Sequence, residues 1–158
     1  MPVFSKNVQV RFAHVDAAGI MFYPRYFGLI NDLVEDWFAD GLGFSFRQLH
    51  LVEKRAVPTA HIEVDFHAPS KLDDKLTFTL AVERLGGASC HLKIAATCGD
   101  EARLSGNLVL VHLDMATGQS LRWPDDMRAK MANWPANNTE NNTENGTERY
   151  PDQNGESA

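Results

Sequence analysis

The chain has 158 residues and is 44% hydrophobic, which is enough for one domain with a buried core. Its formal net charge is -6, and it has no basic stripe of the kind that favours nucleic-acid binding. It also lacks a signal-peptide pattern and any run of about 18 apolar residues, so we expect a cytoplasmic protein that does not contact membranes.

The end of the chain differs from the rest in composition. From residue 137 onward it is mainly Asn, Thr, Glu and Gly, and five acidic residues against Arg149 give it -4 of the formal charge. Such a segment has too little apolar surface to pack. We therefore predict a folded domain over residues 1–134 and a disordered acidic tail over residues 135–158. A cut after Trp134 is expected to leave folding and activity intact.

The folded part begins with a predicted strand and a long predicted helix. Residues 8–15 alternate between apolar and polar, which is typical of a strand. Pro24 suits the first turn of a helix, and apolar residues then recur at helical spacing as far as Phe38. Gly41 is placed for a left-handed C-terminal cap. The helix is more apolar than a surface helix needs, so we expect the rest of the domain to wrap around it.

Strands dominate the remainder of the folded part. A short helical turn at residues 44–49 comes first, and Gly86-Gly87 is a hairpin signal between two strands. The pattern favours an α+β architecture in which one curved antiparallel sheet wraps one central helix. The remaining strands and a final short helix are predicted at residues 57–69, 74–85, 88–98, 101–114, 119–123 and 124–131.

The stretch HVDAAGIMFYPRYF, residues 14–27, carries the chief chemical candidate. It places Asp16 among small and apolar residues, where an ionised carboxylate is costly. In one interpretation Asp16 caps a turn, as Asp often does. In the other it acts on an acyl carbon, while a backbone N–H at the start of the helix donates to the acyl oxygen. Since Pro24 has no N–H, the donor would be Tyr23 or Arg25.

Other patterns are weaker candidates. Residues 61–67, HIEVDFH, place His, Glu and Asp on one strand face, but residues two apart lie about 6.5 Å from each other, too far for more than a neighbouring pair to share an ion. Cys90 and Cys98 lack the spacing of a zinc or redox pair. Neither they nor Ser89 has a base at a recognisable spacing. We expect no metal and no cofactor.

The segment DAAGIMFYPRY resembles the signature of the 4-hydroxybenzoyl-CoA thioesterase family of hotdog-fold acyl-CoA hydrolases. That signature is an Asp, a small pair, Gly, apolar residues and Tyr-Pro at the start of the hotdog helix. The order of elements also agrees over about residues 5–130, and DFHAPSKLDDKL is similar to the family's second-strand segment. The matching residues are Asp16, Ala18, Gly19, Ile20, Tyr23, Pro24 and Tyr26.

The resemblance implies a hotdog fold and hydrolysis of an acyl-CoA thioester. Asp16 would be the nucleophile or the general base, and the Tyr23 N–H would polarise the carbonyl. The site would form between two subunits with acyl-CoA across their surface, so we expect a homodimer or homotetramer. His14, two residues before Asp16, could tune its carboxylate or position water.

The substrate contacts are expected from the same comparison. Gly19 is small enough for a substrate to pass close to the backbone, and Phe22 suggests an aromatic pocket together with Tyr23, Phe27 and Trp37. Asn31 aligns with a helix aspartate that helps to recognise the ring hydroxyl in the 4-hydroxybenzoyl-CoA enzyme. That enzyme also has a basic cluster near a strand turn for the CoA phosphates, where this chain has only Arg84. Candidates to replace it are Arg25, Lys93, Arg122 and Arg128.

These features predict an aromatic (4-hydroxybenzoyl-CoA-like) or medium-chain acyl group. Two alternatives stay open. A hotdog enoyl-CoA hydratase or dehydratase would need a His with Asp or Glu on the helix or its approach, which the loop Asp with Tyr-Pro does not match. A non-catalytic acyl-CoA-binding module would bind the ester without releasing thiol.

Overall fold

The computed structural model describes residues 3–136. The predicted tail therefore lies outside the described residues, apart from Pro135 and Ala136. The Ala136 N–H donates to Val82 O at 2.8 Å, so the described fold continues two residues past the predicted boundary. The elements are the strands β1 (Phe4–Gln9), β2 (Arg55–Ala56), β3 (Thr59–Phe66), β4 (Lys75–Leu85), β5 (Ser89–Cys98), β6 (Glu101–Val111) and β7 (Leu113–Asp114), and the helices α1 (Pro24–Asp36) and α2 (Asp125–Met131).

One antiparallel sheet of five strands forms the body of the domain, in the order β1-β4-β5-β6-β3. The two short strands β2 and β7 pair separately. Strands β4, β5 and β6 follow one another both in the chain and in the sheet, whereas β1 pairs with β4 at one edge and β3 pairs with β6 at the other. One row of paired residues crosses the whole sheet and consists of Phe4, Leu80, Ile94, Gly106 and Val64.

Helix α1 lies against this sheet and supplies the centre of the core. Its buried face consists of Tyr26, Ile30, Leu33 and Val34, and both Trp37 and Phe38 after it are fully buried. The facing strands alternate, so that every second residue is buried from Leu76 to Val82 in β4 and from Cys90 to Ala96 in β5. This is the α+β hotdog arrangement that the sequence predicts, and that prediction is confirmed.

The two ends of α1 differ in how well the sequence predicts them. Pro24 occupies the first helical turn as expected. After Asp36 the chain continues as a π-helical turn, Trp37–Leu42, and Gly43 takes the left-handed conformation with φ +79°. The cap predicted at Gly41 is therefore wrong. Gly41 is needed for packing instead, because a Cβ there would lie 2.7 Å from Cδ1 of Trp37.

Two predicted strands are also corrected. The first strand is β1, and residues 12–14 of the predicted stretch form a 3-10 turn that His14 closes by accepting the Arg11 N–H on Nδ1 at 2.9 Å. Phe12 continues the apolar alternation but is 84% exposed. Residues 119–123 are not a strand either, and only Ser120 there forms a bridge, with Leu113. The turn predicted at residues 44–49 is a π-helical turn at Arg47–Val52.

A polar cluster of Arg55, His112 and Trp123, which we call the His112 cluster, joins β2 to the end of the sheet. Arg55 Nη1 lies 3.0 Å from His112 Nε2, and His112 Nδ1 lies 3.1 Å from Leu121 O. The imidazole stacks on the indole at 4.8 Å between ring centroids. His112 is 1% exposed, and burial together with the Arg55 charge lowers its pKa.

Neither α1 nor α2 has the length and apolar character of a helix that crosses a membrane, for the residues described.

Candidate active site

The loop that carries Asp16, residues 15–22, folds back on itself before α1 begins. Val15 and Met21 form an antiparallel bridge, and the Asp16 N–H donates to Ile20 O at 3.2 Å. Gly19 adopts φ +80° at the tip, where a left-handed conformation is required. This loop, called the Asp16 loop below, is therefore a compact turn with its own hydrogen bonds.

The two carboxylate oxygens of Asp16 have different surroundings. Oδ1 accepts the Ala18 N–H at 2.8 Å, so Asp16 does shape a turn, although not at the start of the helix. Oδ2 makes no hydrogen bond or ion pair within residues 3–136, and the residue is exposed. One oxygen fixes the rotamer while the other is available to a ligand.

The start of α1 leaves one backbone donor unused. The Arg25 N–H donates to Phe22 O at 2.9 Å, and the Tyr26 N–H donates to Tyr23 O at 3.1 Å. The Tyr23 N–H has no acceptor among the described residues. It lies at the positive end of the helix dipole, where an oxygen that gains negative charge is stabilised. Of the two donors that the sequence leaves open, only Tyr23 has a free N–H.

An apolar cavity of about 540 Å³ lies beside the Asp16 loop and the helix start. Two aromatic contacts shape it, since the Phe66 ring lies 6.3 Å from the Tyr23 ring and 5.4 Å from the Tyr26 ring, between centroids. Tyr23 is 61% exposed and Phe66 is 46% exposed, so this wall is open to solvent. The lining residues are Ile20, Met21, Tyr23, Tyr26, Phe66, His67, Ala68 and Pro69.

His14 lies next to the Asp16 loop, but its ring makes no hydrogen bond to Asp16 in the described structure. Its Nδ1 accepts the Arg11 N–H, so in the neutral ring the proton is on Nε2. The ring lines a second groove, of about 350 Å³, between β1 and α1. Asp32 lines the same groove, whereas Asn31 is exposed and lines neither cavity.

The aromatic residues suggested for the pocket divide between surface and core. Phe22 is 45% exposed and packs edge-on against Tyr23, with 5.7 Å between the ring centroids. Phe27 is half-buried against the core, and Trp37 is fully buried and packs on Phe38. Trp37 therefore belongs to the core and not to a substrate pocket.

The four basic residues suggested for binding the CoA phosphates differ in the contacts that they make. Arg128 donates from Nη1 to Gly86 O at 2.7 Å, and Lys93 Nζ lies 3.9 Å from Glu83. Arg25 and Arg122 are exposed and make no ion pair within residues 3–136. Arg25 is in the first turn of α1 beside Tyr23, which makes it the candidate adjacent to the cavity.

The polar face of β3 and the cysteines make other contacts. His61 lies 3.8 Å from Glu63, while His67 Nε2 lies 2.7 Å from Ser105 Oγ. No group of three or more potential metal ligands comes together in residues 3–136. Cys90 is buried, which raises the pKa of its thiol to about 12 and makes it a poor nucleophile.

The sequence reasoning missed a buried polar group behind the site. Ser70, Asp74 and Arg103, called the Ser70 cluster below, connect the segment after β3 to β6. Arg103 is 9% exposed. Strand β6 also contains other polar residues, namely Glu101, Ser105 and Asn107. The sequence therefore carries no local signal that Arg103 is buried.

Comparison with known proteins gives a family match. The model described as the Thioesterase-like superfamily matches residues 10–131. Two curated relatives are each named 1,4-dihydroxy-2-naphthoyl-CoA hydrolase. The one from Synechocystis is 28% identical over 91 residues, which are 58% of this chain and 63% of the relative. The one from Nostoc punctiforme is 23% identical over 124 residues, which are 78% of this chain and 83% of the relative.

A solved structure shows the same fold. A hypothetical protein from Staphylococcus aureus in complex with CoA gives a TM-score of 0.77 at 17% identity, over 84% of this chain and 83% of that one. Together with the curated relatives, the matches support the predicted enzyme class, an acyl-CoA thioester hydrolase. The chain belongs to the thioesterase-like superfamily.

Proposed function

We propose that the protein hydrolyses an aromatic acyl-CoA thioester, with the Asp16 carboxylate and the Tyr23 N–H as the reacting and polarising groups. The observation that carries this proposal is that Asp16 Oδ2 and the Tyr23 N–H make no hydrogen bond within residues 3–136. They lie at the two ends of one short loop, and Ile20, Met21 and Tyr23 of that stretch line the apolar cavity. The curated relatives named as CoA hydrolases support the same chemistry.

Either route open to Asp16 leads to the same products. As a nucleophile, Oδ2 bonds to the acyl carbon, the C–S bond breaks, CoA leaves as its thiol after gaining a proton, and water hydrolyses the resulting anhydride. As a general base, Asp16 takes a proton from water, the hydroxyl bonds to the acyl carbon, the C–S bond breaks, and CoA leaves as its thiol after gaining that proton. In both routes the Tyr23 N–H donates to the oxygen that becomes negative.

The cavity supports an aromatic acyl group. Tyr23, Tyr26 and Phe66 present ring faces and edges around about 540 Å³, which suits a flat ring better than a long alkyl chain. The names of the two relatives refer to a naphthoyl ester, which is a two-ring acyl group. We therefore assign this protein an acyl group of one or two aromatic rings.

We further infer that two copies complete the site. Strand β3 is an edge strand, so one row of its backbone N–H and C=O groups has no partner strand in residues 3–136. The exposed rings of Tyr23 and Phe66 adjoin that edge. A second copy placed along β3 would extend the sheet, cover these rings and close the cavity. Size-exclusion chromatography with light scattering should give a dimer or a multiple of it.

The CoA moiety is assigned to the surface next to the helix start. Arg25 is exposed there without an ion pair in the described residues, and arginine binds phosphate oxygens well. The Staphylococcus aureus protein of the same fold is in complex with CoA. Arg25→Gln should therefore raise KM for acyl-CoA several-fold with little change in kcat.

The experiment that tests the proposal is thiol release from benzoyl-, 4-hydroxybenzoyl-, naphthoyl-, octanoyl- and palmitoyl-CoA. Asp16→Asn should lower kcat at least about 100-fold, the usual loss when a general base is removed, and should leave the thermal midpoint unchanged. Asn retains an oxygen for the Ala18 N–H, so the turn survives. Asp32→Asn, an exposed acid on α1, is the matched control and should keep a near-normal rate.

Three results would contradict parts of this assignment. Full activity of Asp16→Asn would remove Asp16 from the reaction. Tight binding of the esters by calorimetry without thiol release would favour a binding module. Addition of water to an enoyl-CoA, measured by the loss of its conjugated absorbance, would favour a hydratase.

A further inference from the structure

Ser70 lies behind the candidate active site and contacts both of its halves. Its carbonyl oxygen accepts the Met21 N–H at 2.7 Å, and its Oγ accepts the Tyr26 hydroxyl at 2.7 Å. Met21 belongs to the Asp16 loop, and Tyr26 belongs to the first turn of α1. Ser70 is 1% exposed, so water does not compete for either bond. One buried residue thus connects the loop that carries Asp16 to the helix start.

Arg103 fixes Ser70 from the sheet. Its Nη1 lies 3.1 Å from Ser70 Oγ, 3.0 Å from Pro69 O and 2.8 Å from Asp74 Oδ2. The same Asp74 oxygen accepts the Lys71 N–H at 2.9 Å and so closes the turn after Ser70. These two interactions hold the pKa of the Asp74 carboxyl below its usual range. The turn is therefore held to β6 by an ion pair in which the Arg103 side chain is nearly buried and the Asp74 side chain is partly buried.

The segment that follows Ser70 also holds the chain on both sides of the Asp16 loop. Before the loop, the Val10 N–H donates to Asp74 O at 2.8 Å, and Val10 O accepts the Asp73 N–H at 2.9 Å. After the loop tip, Ile20 forms an antiparallel bridge with Lys71. The loop thus spans two anchor points on one rigid turn.

We propose that the Ser70 cluster is a positioning device that sets the distance between the Asp16 carboxylate and the Tyr23 N–H. Neither Ser70, Asp74 nor Arg103 lines the apolar cavity, so the cluster acts through the backbone of the Asp16 loop and through the Tyr26 hydroxyl. This inference rests on the proposed function of Asp16 and Tyr23. Thioester attack is sensitive to the placement of its groups, and a shift of about 1 Å can cost roughly 100-fold in rate.

The test uses Tyr26→Phe and Ser70→Ala, which remove the linking hydroxyl from either side. For the best acyl-CoA of the panel, each should lower kcat roughly tenfold or more while KM changes less than about threefold. Arg103→Lys should lower kcat by a smaller factor, because Lys keeps the positive charge but lacks the several fixed N–H donors of the guanidinium. The matched control is Arg55→Lys. Arg55 is also largely buried, but its side-chain contacts are with His112 and Glu53 and not with the Asp16 loop, so this variant should keep the kcat of the unchanged protein.

A double-mutant cycle separates positioning from general loosening of the fold. In the Asp16→Asn background, Tyr26→Phe should have almost no further effect on the residual rate, because the group that it positions is gone. An equal fold-loss in both backgrounds, an unchanged kcat in both Tyr26→Phe and Ser70→Ala, or the same loss in Arg55→Lys would each overturn the positioning role. Full activity of Asp16→Asn alone would instead contradict the proposed function on which it rests.

Discussion

Two largely buried arginines organise two parts of the molecule with different kinds of partner. Arg103 contacts the Asp74 carboxylate behind the candidate active site. The buried contact of Arg55 is instead to the imidazole of His112, and its ion pair with Glu53 lies toward the surface. A guanidinium only donates, so His112 Nε2 must be the acceptor and its proton is on Nδ1, toward Leu121 O. The first contact is an ion pair, and the second requires a neutral partner.

Because their partners differ, the two clusters should respond differently to loss of charge. Removal of Arg103 leaves the partly buried Asp74 carboxylate without its counter-charge. A neutral acceptor that loses its donor is left with one unsatisfied lone pair, which is a smaller cost. The Ser70 cluster should therefore be the more fragile of the two toward substitution, and the His112 cluster the more fragile toward mild acid.

The largest difference is expected from matched removal of the two charges. Arg103→Met should lower the free energy of unfolding by about 2–3 kcal/mol, because Asp74, Ser70 Oγ and Pro69 O all lose their donor. Arg55→Met should cost about 1 kcal/mol, since His112 is neutral and Glu53 can be hydrated. Urea unfolding of both variants measures this. Equal losses would show that the kind of partner does not matter.

Acid should affect the two clusters in separate pH windows. The pKa of His112 is lowered from 6.5, chiefly by burial and also by Arg55, so its contribution to stability is complete above about pH 6.5 and is lost as pH falls through the lower folded value. The pKa of Asp74 is lowered from 3.8, so its contribution persists until the pH falls below about 4. The thermal midpoint followed from pH 8 to pH 3 should fall in two steps.

Removing the imidazole tests the assignment of the first step. His112→Gln keeps a hydrogen-bonding side chain but does not titrate, so the decline of the thermal midpoint that begins below about pH 6.5 should become shallower, while the decline below about pH 4 stays. Asp74→Asn should make the decline below about pH 4 shallower and leave the decline that begins below about pH 6.5 unchanged. A first step of unchanged size in His112→Gln would assign it to other histidines.

The smallest effect is expected at the rim of the Ser70 cluster. Glu101 Oε1 lies 2.6 Å from Arg103 Nε without a directed hydrogen bond, and its side chain is 60% exposed. Exposed ion pairs contribute about 0–1 kcal/mol, so Glu101→Gln should change the free energy of unfolding by less than about 0.5 kcal/mol. It should also leave kcat unchanged. A loss as large as that of Arg103→Met would mean that Glu101, and not Asp74, is the main partner.

Much of the fold could be predicted because local rules and tertiary packing agree. Pro24 is where a helix can start without losing a hydrogen bond, and the hairpin at Gly86-Gly87 is a local signal. The helix end could not be predicted, since Gly41 is required by contact with the Trp37 ring, which is tertiary. The loop motif around Asp16 indicated the family, and the family match confirmed it.

The Ser70 cluster could not be predicted from the sequence, for a different reason. Arg103 is about 30 residues from Ser70 and Asp74 in the chain, and only the pairing of β6 with β3 brings them together. Similarly, the sequence narrows the donor to Tyr23 or Arg25, but the choice depends on which N–H the turn at Phe22 uses. Such pairings are set by topology and not by local pattern.

The hydrogen bond from the Ala18 N–H to Asp16 Oδ1 has a consequence for entropy. A free aspartate samples several rotamers, and a reaction that needs one of them must select it each time a substrate binds. Here the turn selects the rotamer when the chain folds. In the proposed reaction, the ordering of the carboxylate is therefore complete before acyl-CoA arrives, and binding energy from the CoA moiety is left to order the thioester.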